Sequence, residues 1–366
     1  MKRILQATVL LVVTTFALGA AGCVNNAPTG TANTNAGTAT TNATPATAAT
    51  TPTPVNAAEA KNLPVTLPVL DAMFADEGFA GELKSKVQLT DEQIERLRKV
   101  AREETASLRE GEGEEHGGST SAASARAAEK VREVLGEAKA QQFTAFVRER
   151  WGGNAGGNGV ASAKPNSVPT DTRVVVNAPA YRMDVFENGK LVKTYKVGIG
   201  YPECPLPQGL RKAETIIFNP TWTPPDEPWV EASGKVKVGQ KVEAGSPLNP
   251  LGPIKIPIGS PSLIHGGKSP AKLGTFASHG CVGLTNAMVQ DFATVLGKLG
   301  GTELSKEDVT GYAKQKTETK NVKLTSAVPV ELRYETIVVE DGKLHIYRDV
   351  YEKGTNTEEN LRAVLQ

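Results

Sequence analysis

Two short stretches decide the reading of this chain: Ile264-His265-Gly266-Gly267, and then Ser278-His279-Gly280-Cys281-Val282-Gly283-Leu284-Thr285-Asn286. Two of its four histidines stand within sixteen positions of a cysteine. Three chemistries compete for such a cluster. The first is nucleophilic catalysis: a thiol acts as thiolate, and a nearby imidazole supplies the base or the stabilising cation. Gly280, just before Cys281, allows close backbone approach, so successive N–H groups can point at a developing oxyanion. The second is a metal site, since His265, His279 and Cys281 are all ligand types that zinc accepts. No fourth ligand has convincing spacing, and Cys204 lies far upstream. The third is structural, a buried cysteine with two hydrogen-bonded histidines. Two His, two Gly pairs and a Ser around one Cys argue against that.

Outward from the cluster, the pattern reads as short strands followed by a helix. Residues 286–299 have Val289, Phe292, Ala293 and Leu296 at i, i+3, i+4 and i+7, the spacing of one helical face. Upstream, Arg173-Val174-Val175-Val176 is a β-branched run. Residues 183–186, the pair Asn188-Gly189 and residues 191–199 predict a hairpin with a tight turn. In its second arm Leu191, Tyr195, Val197 and Ile199 share one face, with Val192, Thr194 and Lys196 on the other. More extended segments follow, separated by Pro and Gly, and together they predict a compact, mainly β domain.

The motif His-Gly…Ser-His-Gly-Cys-Val-x-Leu-x-Asn resembles the signature of the L,D-transpeptidases with a YkuD-type catalytic domain. The His-to-Cys spacing is similar to that of members with a short intervening loop. Asn219-Pro220-Thr221-Trp222-Thr223-Pro224-Pro225, Asn249-Pro250-Leu251-Gly252, Val328-Pro329-Val330-Glu331-Leu332-Arg333-Tyr334, Asp341-Gly342 and Asp349-Val350-Tyr351 resemble further segments of that family. The likeness covers residues 173–351. It implies an α+β protein with a mainly β, sandwich-like catalytic domain of mixed sheets. It implies Cys281 as nucleophile and His265 as general base, oriented through the Gly266 carbonyl rather than by a carboxylate. The N–H groups of His279, Gly280 and Cys281 form the implied oxyanion hole, Ser278 and His279 shape the pocket, and Asn286 supports the turn after the nucleophile.

The implied reaction is acyl transfer in peptidoglycan, with no cofactor. Cys281 attacks the carbonyl of the third, L-centred residue of a tetrapeptide stem, D-Ala leaves, and a thioester remains. An amine on a neighbouring stem or on a protein lysine resolves it; water as acceptor gives an L,D-carboxypeptidase. Two positions depart from the family pattern. Gly283 stands where many members carry Arg, which bears on electrostatic anchoring of substrate. Leu206-Pro207-Gln208-Gly209 replaces the usual Thr-Pro-x-Gly, which bears on one groove wall. These departures and the extra helical segment keep a second function open, a non-catalytic peptidoglycan-binding anchor.

Composition narrows the remainder. The 366 residues predict about two domains with spare length. Lys+Arg 41 against Asp+Glu 40 leaves +1, so no bulk field exists to hold nucleic acid or an anionic membrane. Three cysteines exclude a disulfide scaffold. At the N-terminus, Lys2 and Arg3 precede an apolar run over 9–18, then Gly19-Ala20-Ala21-Gly22-Cys23. The run is too short to span a bilayer. It resembles a bacterial lipoprotein signal (1–22) whose removal leaves a lipidated Cys23 as membrane anchor. Val24 after the cysteine is similar to the outer-membrane address, on the periplasmic side of the cell envelope. Residues 23–62 are expected to be a disordered tether, because 25–58 consist almost wholly of Thr, Ala, Asn, Pro and Gly. Its 36 residues from Cys23 to Ala58 have an r.m.s. reach of about 30–35 Å.

Residues 63–151 are expected to be a helical segment. Thr90-Asp91-Glu92-Gln93 has capping-box spacing. Ile94, Leu97, Val100 and Leu108 then share one face, and Val131, Val134, Leu135, Ala138 and Phe146 mark a second periodic stretch. Leu89-Thr90…Gln93 resembles LTxxQ-type periplasmic helical domains, which would make the segment a partner-binding hairpin; a packing or spacer module is the plainer reading. A linker (152–170), the catalytic domain (171–303) and a C-terminal extension with a β-hairpin (304–366) complete the expected order. His116 reads as a solvated bystander and His345 as a surface or packing residue. Trp222 and Trp229, in a Pro-rich loop, are candidate substrate-groove residues. Cys204 and Cys281 are candidates for a reversible disulfide.

Overall fold

The computed structural model describes residues 63–74, 76–110, 119–151, 166–224, 230 and 234–366. The expected signal segment, Cys23, the 25–58 tether, His116, residues 152–165 of the linker and Trp229 lie outside the described residues. Among the described residues the helical segment comprises α1 (Leu67–Phe74), α2 (Glu77–Lys86), α3 (Asp91–Glu110), α4 (Thr120–Leu135) and α5 (Glu137–Trp151). Thr90 and Gln93 form the foreseen reciprocal cap of α3: Gln93 N–H donates to Thr90 Oγ1 at 3.2 Å, and Thr90 N–H donates to Gln93 Oε1 at 3.1 Å. The second periodic stretch is two helices, because Gly136 adopts φ 74° and ends α4 one residue before α5 begins. Ile94, Leu97, Val131 and Phe146 pack into one core with Leu70, Phe79, Leu83 and Phe143. Each such side chain stabilises the segment by about 1.5–3 kcal/mol.

The rest of the chain is built on one mixed sheet of eight strands. Its members are β1 (Arg173–Asn177), β2 (Arg182–Glu187), β3 (Lys190–Lys196), β5 (Gly209–Phe218), β6 (Ile254–Pro257), β7 (Leu263–His265), β9 (Val282–Gly283) and β10 (Lys320–Arg333), in the order β3-β2-β1-β10-β5-β6-β7-β9. The short strands β4 (Ile199–Gly200) and β8 (Phe276–Ser278) pair in parallel beside it, and β11 (Ile337–Glu340) and β12 (Lys343–Ile346) form a separate hairpin. The Asn188-Gly189 turn is present, with φ 50° and 76°, the two positive values a type I′ hairpin requires. Alternation along the second arm begins only near its end: Leu191 is exposed, whereas Tyr195, Val197 and Ile199 are buried.

The C-terminal part is not an appendage to a domain ending at 303. β10 lies between β1, with which it runs parallel, and β5, with which it runs antiparallel, in the middle of the sheet. Val328, Val330 and Leu332 enter the same core as Val174, Val176 and Ile216. Tyr351 is fully buried, stacks on Tyr334 and Phe276 with ring centroids 5.6 and 6.1 Å away, and donates its hydroxyl to Gly200 O at 2.9 Å.

Helix α6 (Asn286–Leu299) has the bounds its periodicity predicts. Thr285 caps it by accepting from Met288 N–H at 3.2 Å, and Val289, Phe292, Ala293 and Leu296 are all fully buried. Asn219 explains part of the Asn-Pro segment. Its Nδ2 donates to the carbonyls of Tyr312, Gln315 and Glu318 at 2.7, 2.8 and 3.1 Å, closing the C-terminal end of α7 (Lys306–Lys314). A final helix, α8 (Glu358–Leu365), lies on the surface.

Two buried hydroxyls hold the helical segment to the loop between β4 and β5. Thr120 Oγ1 donates to Pro202 O at 2.7 Å, and Thr66 Oγ1 donates to Glu203 O. Arg211 on β5 donates to Trp151 O at 2.7 Å. The segment thus packs against the loop that underlies the cysteine turn.

Candidate active site

The four residues from Ser278 to Cys281 join β8 to β9 in a turn fixed by its own serine. Cys281 N–H donates to Ser278 Oγ at 2.9 Å, and that hydroxyl donates back to Cys281 O at 2.6 Å. Gly280 adopts φ +94°, a backbone state a side chain would strain. Its carbonyl accepts from Ser262 Oγ at 2.8 Å, so both polar groups of the Gly280–Cys281 peptide are held. The Cys281 amide, one of the three expected oxyanion donors with those of His279 and Gly280, thus meets the Ser278 hydroxyl in this structure. Beneath the turn, Tyr201 N–H donates to Ser278 O at 2.8 Å, and the Tyr201 ring meets the exposed His279 ring edge to face, centroids 5.2 Å apart.

Sheet register sets the cysteine and the first histidine on the same side of neighbouring chain segments. β7 and β9 run parallel, with Ile264 opposite Val282 and His265 opposite Gly283. Ile264 and Val282 both point into the core and are fully buried. Successive residues of extended chain alternate sides. His265 and Cys281, each adjacent to one of those core residues, therefore project to the other side together. Cys281 is half-buried and His265 is buried.

His265 Nδ1 lies 2.7 Å from Gly266 O. A carbonyl only accepts, so Nδ1 carries the proton and Nε2 presents its lone pair. Burial, and then the Lys268 charge, push the imidazolium pKa down to about 3, against the smaller opposing pull of the Gly266 carbonyl. The ring is therefore neutral at pH 7. The turn that orients it is built by several hands. Gly267 N–H donates to Asn286 Oδ1 at 2.7 Å, and Leu284 N–H donates to His265 O at 2.8 Å. Asn286 thus ties the first turn of α6 to the histidine turn, rather than only supporting the chain after the cysteine.

Other expected residues fall elsewhere. Trp222 is half-buried and exchanges backbone hydrogen bonds with Val242 at 3.0 and 2.7 Å, an isolated bridge within the long β5–β6 loop. Cys204 and Cys281 are both thiols, and no disulfide joins them. His345 sits on β12 and stacks on Tyr347. Among the described residues no group of three or more His, Cys, Asp or Glu side chains is placed to hold a metal ion, so His265, His279 and Cys281 do not form the zinc cluster their types allow. Sequence reasoning missed Ser262, Tyr201 and Lys268. Ser262 lies among Gly259-Ser260-Pro261, where a turn serine carries no mark of its tertiary partner.

The neutral histidine has a thermodynamic signature. Between the ordinary pKa of about 6.5 and about 3, the unfolded chain binds a proton that the folded chain refuses. The stabilisation is complete above pH 6.5 and is lost as pH falls through that window, by about 1.4 kcal/mol per pH unit. In urea unfolding, the stability of the wild type relative to His265→Asn should therefore decline by about that slope from pH 6 to pH 4. A difference that does not change with pH would contradict the buried neutral ring.

Residues 171–312 match the family model of the L,D-transpeptidase catalytic domain, YkuD. No curated protein matches the chain. Among solved structures, the catalytic domain of the Enterococcus faecium L,D-transpeptidase is 16% identical, with a TM-score of 0.29, covering 46% of this chain and 100% of that one. A mutant E. faecium L,D-transpeptidase is 15% identical at TM-score 0.28, with 44% of this chain and 50% of that one aligned. An L,D-transpeptidase from Mycobacterium tuberculosis H37Rv is 16% identical at TM-score 0.25, with 44% and 57% aligned. The match thus spans about half the length of the longer enterococcal chain. The family match takes in both the His265-Gly266 and the Ser278–Cys281 elements, so what residues 171–312 are similar to is the L,D-transpeptidase catalytic domain.

Proposed function

We propose that this chain is a peptidoglycan L,D-transpeptidase with Cys281 as nucleophile and His265 as general base. The reading is supported above all by the β7–β9 register, which sets a neutral Nδ1–H imidazole and the thiol on the same side of the sheet. Sγ attacks the carbonyl carbon of the third stem residue, and its proton passes to His265 Nε2. The negative charge that develops on the carbonyl oxygen is met by the His279 and Gly280 amides, and one such donor contributes roughly 2.7–4 kcal/mol. The C–N bond to D-Ala then breaks, and the departing amine takes the proton from Nε2. A thioester to Cys281 remains. An acceptor amine attacks it and loses a proton to His265, and the thiolate leaves. Splitting one amide exchange in this way replaces a hard step with two easier ones.

The orienting partner of the base is a backbone carbonyl. An aspartate in that place would raise the ring's proton affinity; Gly266 O fixes the tautomer with no full charge. The base therefore stays unprotonated at neutral pH.

We assign the protein to the periplasmic side of a bacterial envelope, held by lipid on Cys23, with the low-complexity stretch over 25–58 spanning the gap to the wall. Peptidoglycan stem peptides are its substrates in this reading.

Two measurements test these assignments. Purified protein incubated with disaccharide-tetrapeptide should release D-Ala and form cross-linked or amine-exchanged products, read by mass. Cys281→Ala should lower that turnover by at least about a thousandfold; undiminished turnover would refute the nucleophile. In cells, a labelled fatty acid should be incorporated into the wild type and lost in Cys23→Ser. Equal labelling of both would refute the anchor.

A further inference from the structure

Gly283 stands directly opposite His265 and two residues past Cys281. The space above it is filled. A Cβ at position 283 would lie 2.7 Å from Lys268 Cγ and 2.9 Å from its Cε, so the lysine stem runs over this glycine. The loop carrying Lys268 is fastened there: Lys268 N–H donates to Leu284 O at 3.1 Å, as Leu284 N–H donates to His265 O. Lys268 thus lies over the paired strands β7 and β9, its side chain only partly open to solvent.

We propose that Lys268 supplies the counter-charge for the Cys281 thiolate, its methylenes occupying the space that Gly283 leaves and its ammonium reaching the sulfur. This rests on Cys281 being the nucleophile. A buried imidazole that stays neutral gives a thiolate no lasting partner. A lysine held beside both groups disfavours imidazolium and favours thiolate at once. The electrostatics agree. Burial lowers the Lys268 pKa, the Cys281 charge raises it, and Lys272 lowers it; no carboxylate among the described residues is one of these influences. Lys268 takes no part in the proton transfer. The proton lost from Sγ goes to His265 Nε2 or to buffer, and no bond to lysine forms or breaks. The titratable groups on the elements around the sulfur include His265 on β7, His279 on its own turn, Lys268 and Lys272 on the loop between β7 and β8, and Tyr201 and Cys204 on the loop beneath the turn. Lys268 acts through the sulfur rather than on substrate, so it is a positioning and charge-setting residue.

The test is the pH dependence of Cys281 alkylation by iodoacetamide in the full chain, resolved by peptide mass so that Cys23 and Cys204 are counted separately. The thiolate carbon–sulfur bond forms as iodide leaves, so the rate reports the thiolate fraction. Lys268→Met keeps the stem and removes the charge. It should raise the midpoint by at least about one pH unit and slow alkylation at pH 7 about tenfold. Lys268→Arg should restore the wild-type midpoint. Superimposable profiles for wild type and Lys268→Met would overturn the inference, as would a shift equally large in Lys268→Arg. Alkylation needs no peptidoglycan turnover. The expected Lys268→Met shift in a protein whose wild type shows no D-Ala exchange would refute the transpeptidase reading alone; active protein with superimposable profiles would refute Lys268 alone.

Discussion

Two residue pairs of parallel sheet, Ile264 with Val282 and His265 with Gly283, are the constraint on which the site depends. So short a pairing has little strength of its own. It is held from below by the core, where Ile264 and Val282 pack with Phe292 and Val289 of α6. It is held from the ends by Asn286, which reaches from the start of α6 to the Gly267 amide, and by the Leu284 amide on the His265 carbonyl. On its far side Gly198 exchanges both backbone hydrogen bonds with Gly283 at 2.9 Å. A slip of one residue would turn His265 or Cys281 into the core and separate them.

The cysteine turn is defined with similar economy. Ser278 and Ser262 grip the N–H and C=O of a single peptide, while Gly280 supplies the backbone angle. The loop from Tyr201 to Glu203 lies under that turn and is itself gripped by Thr66 and Thr120 of the helical segment. Tyr351, near the C-terminus, anchors Gly200 from the other direction. Distant parts of the chain therefore converge on one loop beneath the cysteine turn.

What was legible in the sequence is what local physics determines. The α6 stripe, the Thr90–Gln93 cap and the Asn188-Gly189 turn each involve residues within a few positions of one another, and each stands as read. That the His265 and Cys281 segments lie side by side follows from the β7–β9 pairing, while their catalytic roles stay part of the proposal. Non-local pairing was not legible. β10 reads as the strand of an extension, yet it occupies the middle of the sheet, since its partners β1 and β5 lie more than a hundred residues away. Ser262 and Lys268 were invisible for the same reason: a serine in a turn and a lysine in a loop acquire meaning only when Gly280 and Gly283 arrive beside them. The Ser278 hydroxyl that the Cys281 amide meets, three residues away, was likewise not read from the sequence.

A covalent thioester on Cys281 is the account's central claim, and acid-quenched peptide mapping during turnover of a disaccharide-tetrapeptide tests it most directly. The account predicts a modification confined to the peptide containing Cys281, with the mass of the donor less D-Ala and discharged by hydroxylamine. D-Ala release in the absence of any such adduct, or an adduct on another residue, would contradict it.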